Sequence, residues 1–306
     1  MATYLITQAT GRQSQWTIKY LLEAGAKVHA VVRDPAKVEA KVLKEPGVTI
    51  FQGNTNNLEE ITRAAQGCKG AFLNTYPIPG IETEQAKTVV EACKKVGIES
   101  IVATTTFGTG HRHMWDDEVT KEIGLHGYYT SKASIEDAVR QSGLKYTILR
   151  PAFIHFDYFG ASAEYNFPGL PSTGELVHSY EEHARMPHTD ASDIGKYAAA
   201  ALQNPSKFNG KEIELSNEPL TVKEARDIVA RVSGREVRLR KRTPAEVEAA
   251  KTTAPAQVWH LFSNVKDFSH IFEKVAKVQE EFGIPFTSFE DALKRDRDEL
   301  LATIPA

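Results

Sequence analysis

Two cysteines in 306 residues, Cys68 and Cys93, are too few for a disulfide framework. Each falls where a small apolar residue would serve, so folding in a reducing compartment is expected. Nor is there an excess of basic charge: 37 Lys and Arg stand against 40 Asp and Glu, a net charge of −3. That leaves no broad positive field for a phosphate backbone and excludes nucleic acid as a direct partner. No apolar run reaches the roughly 18 residues a membrane span needs. The chain passes from Met1-Ala2 straight into the strand-like residues 3–7, without the basic and apolar regions of a leader. A soluble, cytoplasmic protein with no membrane partner is therefore expected. Internal repeats and zinc-ligand spacings are lacking too, and His111-Arg112-His113 has no Cys or carboxylate at ligand spacing in the sequence, so no metal is expected.

What is present is a rhythm. With 41% apolar, 25% charged and 9% aromatic residues the chain has an ordinary globular composition. Short β-branched runs at 4–7, 27–32, 48–51, 70–73, 100–103 and 146–149 alternate with stretches of helical period, which predicts parallel strands joined by crossover helices. Helices are expected over 58–65, capped by Asn56 or Asn57, over 82–96, closed by Gly97, and over 133–141. The fold class is α/β: a doubly wound parallel-sheet Rossmann-type domain, with a smaller, mostly α substrate-side domain. After Pro151 the rhythm breaks into residues 152–186, rich in Phe, Tyr, Gly and Pro, an irregular apolar cover. A helix near Asp193 and the run 212–215 return to the main sheet. The larger domain is thus placed at 1–153 plus about 187–217, the smaller at about 154–186 plus 218–306. Trp259, Phe262, Phe268 and Phe272 are packing residues or the lining of a pocket for a hydrophobic ligand.

The segment Thr7-Gln8-Ala9-Thr10-Gly11-Arg12-Gln13-Ser14 stands where the first strand turns into the first helix. With Val31-Val32-Arg33-Asp34-Pro35, Gly53-Asn54, Ser131-Lys132 and Tyr146-Thr147-Ile148-Leu149-Arg150-Pro151-Ala152-Phe153 following in order, the chain resembles the NmrA-like family, atypical short-chain dehydrogenase/reductase relatives that bind NAD(P). The resemblance spans nearly the whole chain and implies a cofactor site at Gln8, Thr10, Gly11, Arg12, Gln13, Arg33, Asn54, Asn74, Thr75, Thr104 and Lys132. Of the family's three turn glycines only Gly11 remains, with Gln8 at the first position and Ser14 at the third. The first glycine permits the tight turn, the second the approach of the pyrophosphate and the third close helix packing. Gln8 either obstructs the cofactor, points away or bonds to it. Asn54 replaces the family's Asp after the third strand. Arg33 suits a ribose 2′-phosphate, where an NAD site places a carboxylate, so NADP(H) is favoured. The alternative is that Arg33 and Lys37 pair with Asp34 or Glu39 in solvent, the better account of Lys37.

For chemistry, Tyr128 and Lys132 form a Tyr-x-x-x-Lys pair that a helix places on one face, suited to proton transfer. The resemblance assigns a site role to Lys132; Tyr128 remains open between a phenol acid and a packed aromatic. The structural alternative for Lys132 is a surface pair with Glu136. His155 and Asp157, entering the aromatic cover, are candidate proton donors in an apolar pocket, or structural loop polars. Three readings follow: an NADP(H)-linked reductase of small apolar or aromatic metabolites; a cofactor-independent acid/base isomerase in the same cleft, for which Gln8, Ser14 and Asn54 argue; and a non-catalytic NADP-responsive regulator with a protein partner. Homo-oligomers stay open.

Overall fold

Alternation of apolar strand and amphipathic helix produces the expected order. The computed structural model describes residues 1–78 and 80–306, apart from the side chains of Lys274 and Ala276. β1 (Thr3–Ile6), α1 (Arg12–Glu23), β2 (Lys27–Val32), β3 (Val48–Gln52), α2 (Leu58–Ala65), β4 (Gly70–Leu73), α3 (Ile81–Val96) and β5 (Ser100–Thr104) are followed by a helix over His126–Arg140 and by β6 (Lys145–Pro151). A helix over Ala191–Gln203 and a seventh strand, Lys211–Leu215, complete the layer. The strands lie in the order Lys211–Leu215, β6, β5, β4, β1, β2, β3, all parallel. Asn57 caps α2 by accepting from the Glu59 and Glu60 N–H groups, and Gly97 closes α3 in the left-handed conformation.

Leu5, Val31, Leu73, Ala103 and Ile148 bury one sheet face against Ile61, Val89, Ile135 and Val139 of the helices. On the other face α1 meets the Ala191–Gln203 helix so closely that a Cβ on Gly195 would stand 2.6 Å from the Trp16 carbonyl carbon. Only glycine fits there.

The chain divides into two units. The first holds Met1–His111, Gly127–Pro151 and Ala191–Leu215; the second holds Arg112–His126, Ala152–Asp190 and Ser216–Ala306. The second is more regular than the composition of residues 152–186 implies: it contains helices at Gly160–Asn166 and Gly169–Thr173 and strands at Phe153–Ile154, Glu175–His178 and Met186–Thr189. Tyr158, Phe167, Leu176, Val229, Phe289 and Leu300 form its core. The helix expected over 133–141 begins seven residues earlier, at His126, so Tyr128 and Lys132 are both helical.

One polar cluster crosses the first unit. Arg150 on β6, 4% exposed, donates to Glu136 Oε1 at 2.8 Å and Oε2 at 2.7 Å, to Glu214 at 3.2 Å, and to Glu212. Arg140 also holds Glu136 and Glu212, each at 2.7 Å. Two guanidinium groups thus face three glutamates, one negative charge too many. Consistently, burial pushes the Glu214 carboxyl up to about 7, against the opposing pull of Arg150 and the Gly108 N–H.

Two outcomes are expected from this cluster. Arg150→Met, which strands buried carboxylates, should lower unfolding free energy by about 3–5 kcal/mol in urea titration. The second concerns pH. Between Glu214's ordinary value of 4.5 and its native value of about 7 the folded chain keeps a proton that the unfolded chain has lost, so this group's contribution to stability falls as pH rises. The wild-type urea midpoint should therefore fall relative to that of Glu214→Gln across this window; a constant difference would contradict the account.

Candidate functional site

Parallel strands in this order bring their carboxyl ends to one edge of the first unit, the edge at which such sheets hold ligands. The β1–α1 turn is built there despite two lost glycines. Gln8 stands at φ 47, the one non-glycine residue at positive φ among the described residues. It keeps the backbone that a glycine would supply, at a cost of about 1–2 kcal/mol. Gly11, at the N-cap, is extended (φ −73, ψ 146) and its N–H donates to the Gln8 carbonyl at 2.8 Å. A Cβ on Gly11 would meet that carbonyl at 3.2 Å and Asn74 Nδ2 at 3.7 Å. No side chain caps α1 and its first turn holds no acid, leaving its positive end available to an anion.

Ser14, fully buried, donates to the Thr7 carbonyl at 3.0 Å and accepts from Asn74 Nδ2 at 3.2 Å. The Thr7 hydroxyl donates to the Asn74 carbonyl at 2.8 Å and accepts from the Asn74 N–H at 2.9 Å. Helix, first strand and fourth strand are thereby joined by the residue that replaces the third glycine. Thr104, at the end of β5, donates to Gln13 at 2.9 Å, and the Thr10 carbonyl accepts from Gln15 at 2.7 Å. Thr10 and Arg12 are exposed.

Arg33, exposed after β2, stacks its guanidinium 5.6 Å from the Tyr76 ring and has no carboxylate partner among the described residues. Lys37 pairs with Asp34 at 3.3 Å, the surface pair expected of it. Asn54 lies after β3; its Oδ1 accepts from the Asn56 N–H at 3.2 Å and its own N–H donates to Glu60 at 2.6 Å, a local turn.

Lys132 is 5% exposed, not a surface residue, and it does not pair with Glu136, which Arg150 and Arg140 occupy. Its ammonium donates to Glu82 Oε2 at 2.6 Å, which also accepts from Thr75 Oγ1 at 3.2 Å. Glu82 is wholly buried and its Oε1 has no hydrogen-bond partner. The ammonium also lies 5.3 Å from the centroid of the half-buried Tyr128 ring, a cation–π arrangement. Tyr129 belongs to the core: its hydroxyl reaches the Phe107 carbonyl at 3.3 Å and burial holds its pKa well above the usual range. Glu82 is the partner of Lys132 that the sequence did not reveal; it reads only as an acid in the first turn of a helix, 50 residues from that lysine.

His155 and Asp157 lie in the second unit. The apolar pocket expected around His155 is instead ionic: Nε2 is 2.7 Å from Asp296, Nδ1 is 3.3 Å from Asp190, and Arg295 binds both carboxylates. At 1% exposure His155 is a tie between the loop it occupies and the C-terminal helices. Asp157 is half-buried.

Sheet order and glycine turn define a doubly wound dinucleotide-type fold. The chain belongs to the NmrA-like family, whose model matches residues 2–295. It is 25% identical over 254 residues to quinone oxidoreductase 2 of Escherichia coli (strain K12), covering 80% of this chain and 79% of the relative. Among solved structures it resembles the E. coli NADPH-dependent quinone oxidoreductase in complex with NADPH (TM-score 0.74, 20% identity, 96% of this chain and 99% of that one). It also resembles the negative transcriptional regulator NmrA in complex with NADP (TM-score 0.74, 19% identity, 97% and 96% covered); NmrA is likewise solved with NAD. No helix among the described residues is long and apolar enough to cross a membrane.

The two replaced glycines should behave oppositely. Gln8→Gly relieves the left-handed strain and should raise stability by up to about 1 kcal/mol after the entropy of glycine is charged against it. Ser14→Gly removes two hydrogen bonds and should lower stability by about 1–2 kcal/mol. Urea unfolding of the two single variants checks both signs.

Proposed function

We propose that this protein binds NADP(H) at the β1–α1 turn and reduces small apolar or aromatic metabolites. The observation that carries the reading is the turn itself: Gln8 holds the conformation of the missing glycine, Gly11 leaves space beside it, and α1 begins without cap or acid. These residues fit a pyrophosphate. Arg33, with no carboxylate of its own, suits the 2′-phosphate. When bound, the dinucleotide supplies hydride. The chain's part is to orient it and to hold a proton or hydroxyl at Lys132 Nζ, whose place Glu82 and Thr75 fix. Quinone reduction by the E. coli relative supports an apolar, carbonyl-bearing substrate. Two cysteines, both unpaired and buried, support a cytoplasmic setting.

One observation favours a second reading. Lys132 is already committed to Glu82 and lies against the Tyr128 ring, an arrangement that also suits an NADP-responsive regulator without turnover.

Calorimetric titration should find NADPH bound at least tenfold more tightly than NADH, about 1.4 kcal/mol, with the preference lost in Arg33→Ala. Equal affinities would remove Arg33 from the site, and absence of binding by either would leave the cofactor-independent isomerase. Lys132→Met alone strands a buried Glu82 carboxylate, so the double variant Lys132→Met/Glu82→Gln tests chemistry with less damage to the fold. A reductase loses turnover with quinone or enone substrates in this variant. A wild type that binds NADPH but turns over none of these substrates supports the regulator.

A further inference from the structure

Buried cations in this chain are normally supplied with a carboxylate. Among the described Lys and Arg residues three are buried, Lys132, Arg150 and Arg242. The first is held by Glu82 and the second by Glu136, Glu212 and Glu214. Arg242, 8% exposed in the second unit, has none within 4 Å; its guanidinium makes one hydrogen bond, from Nη1 to Ser179 Oγ at 3.3 Å. Its neighbours do not compensate it. Arg240 takes both oxygens of Glu246, at 2.8 and 3.0 Å, and Lys241 takes Glu181.

The groups packed around Ser179, the one hydrogen-bond partner of Arg242, are polar and ordered, and the nearby charges of Arg240 and Glu246 are paired with each other. The helix Gln257–Val265 sets Gln257, His260 and Asn264 against residues 179–181. Ser179 Oγ donates to Gln257 at 2.9 Å, the Ser179 N–H donates to His260 Nδ1 at 3.1 Å, and Asn264 donates to the Ser179 carbonyl at 2.8 Å. The Tyr180 N–H donates to His178 Nδ1 at 3.1 Å. Since each imidazole accepts at Nδ1, each carries its proton on Nε2, and neither Nε2 has a partner among the described residues. Both rings are neutral: burial, then the Lys241 and Arg242 charges, hold His178 at about 4, and burial with the Arg242 charge holds His260 well below its usual range. The Tyr180 ring stacks on His260 with centroids 4.1 Å apart.

A largely buried side chain whose guanidinium spends one of its five donors on a neutral hydroxyl leaves the others for water or an anion. We propose that Arg242 is the anchor of a binding site for a small monocarboxylate, with the Nε2–H groups of His178 and His260 as further donors. One uncompensated positive charge selects a monoanion, because a phosphate dianion would leave net negative charge buried in its place. A planar carboxylate matches the guanidinium fork. This site lies within the second unit and does not depend on the dinucleotide reading.

The test is thermal unfolding and calorimetry of the full chain with sodium benzoate, with benzamide as its neutral isostere and with inorganic phosphate. Benzoate should raise the melting temperature saturably, benzamide should not, and phosphate should bind more weakly than benzoate. Arg242→Met, which removes an unpaired buried charge, should melt at or above the wild type without ligand and should lose at least tenfold in benzoate affinity. Arg242→Lys, which keeps the charge and loses the fork, should also bind at least tenfold more weakly. No response of the wild type to benzoate overturns the assignment, as does an equal response in the variants. An Arg242→Met chain that melts below the wild type makes Arg242 a structural prop and also overturns it. Tighter binding of phosphate than of benzoate overturns the choice of a monoanion.

Discussion

The first unit depends on one guanidinium. β6 ends at Pro151, and the strand that pairs with it begins sixty residues later, at Lys211. Something must fix the register of a strand arriving from so far along the chain. Glu212 and Glu214 alternate with Ile213, so both glutamates share a face and meet Arg150, while Ile213 enters the core opposite Leu149. A slip by one residue would turn both glutamates away from Arg150 and take Ile213 out of the core. Arg150 also needs room, and Gly110 gives it: a Cβ there would stand 2.5 Å from Nη1. Through Glu136 the same arginine holds the His126–Arg140 helix, and Lys132 lies one turn earlier on the face that carries Glu136. The position of Lys132 is thus tied, through its helix, to the last strand pair of the sheet.

The β1–α1 turn illustrates how a motif can be lost from a sequence and kept in a structure. A glycine at the first position is one means of reaching positive φ, not the only one. Gln8 reaches it with strain of a size that the surrounding hydrogen bonds can offset, since Gly11, Ala9, Thr7, Ser14 and Asn74 tie the turn to β2, β4 and α1. At the third position the requirement is small volume, and Ser14 meets it while adding two bonds. What the substitutions remove is conformational freedom, and the anion-facing backbone survives.

Much of this was legible beforehand, because strand and helix period, caps and the order of motifs are local properties. Asn57, Gly97 and the Tyr128–Lys132 spacing needed only neighbours in sequence. The early start of the helix at His126 was missed because Gly127, Tyr128, Tyr129 and Thr130 are poor helix formers, and packing of Tyr129 outweighs their propensity. His155 was placed in an apolar pocket because its near neighbours are aromatic; the carboxylate that decides its setting, Asp296, is 141 residues away.

The same distance explains why charge in the interior was the least legible feature. A lysine or arginine in a strand or helix looks like a surface residue until its partner is known, and partners here come from other elements: Glu82 for Lys132, Glu212 for Arg150, Asp190 for Arg295. Burial of a cation is tolerable only when such a partner arrives. Completeness of pairing then becomes informative in its own right. Where, among the described residues, every buried cation but one is matched by a carboxylate from within the chain, the unmatched one marks a place where the fold leaves its electrostatics to be completed by something else, and a ligand of opposite sign is the simplest completion.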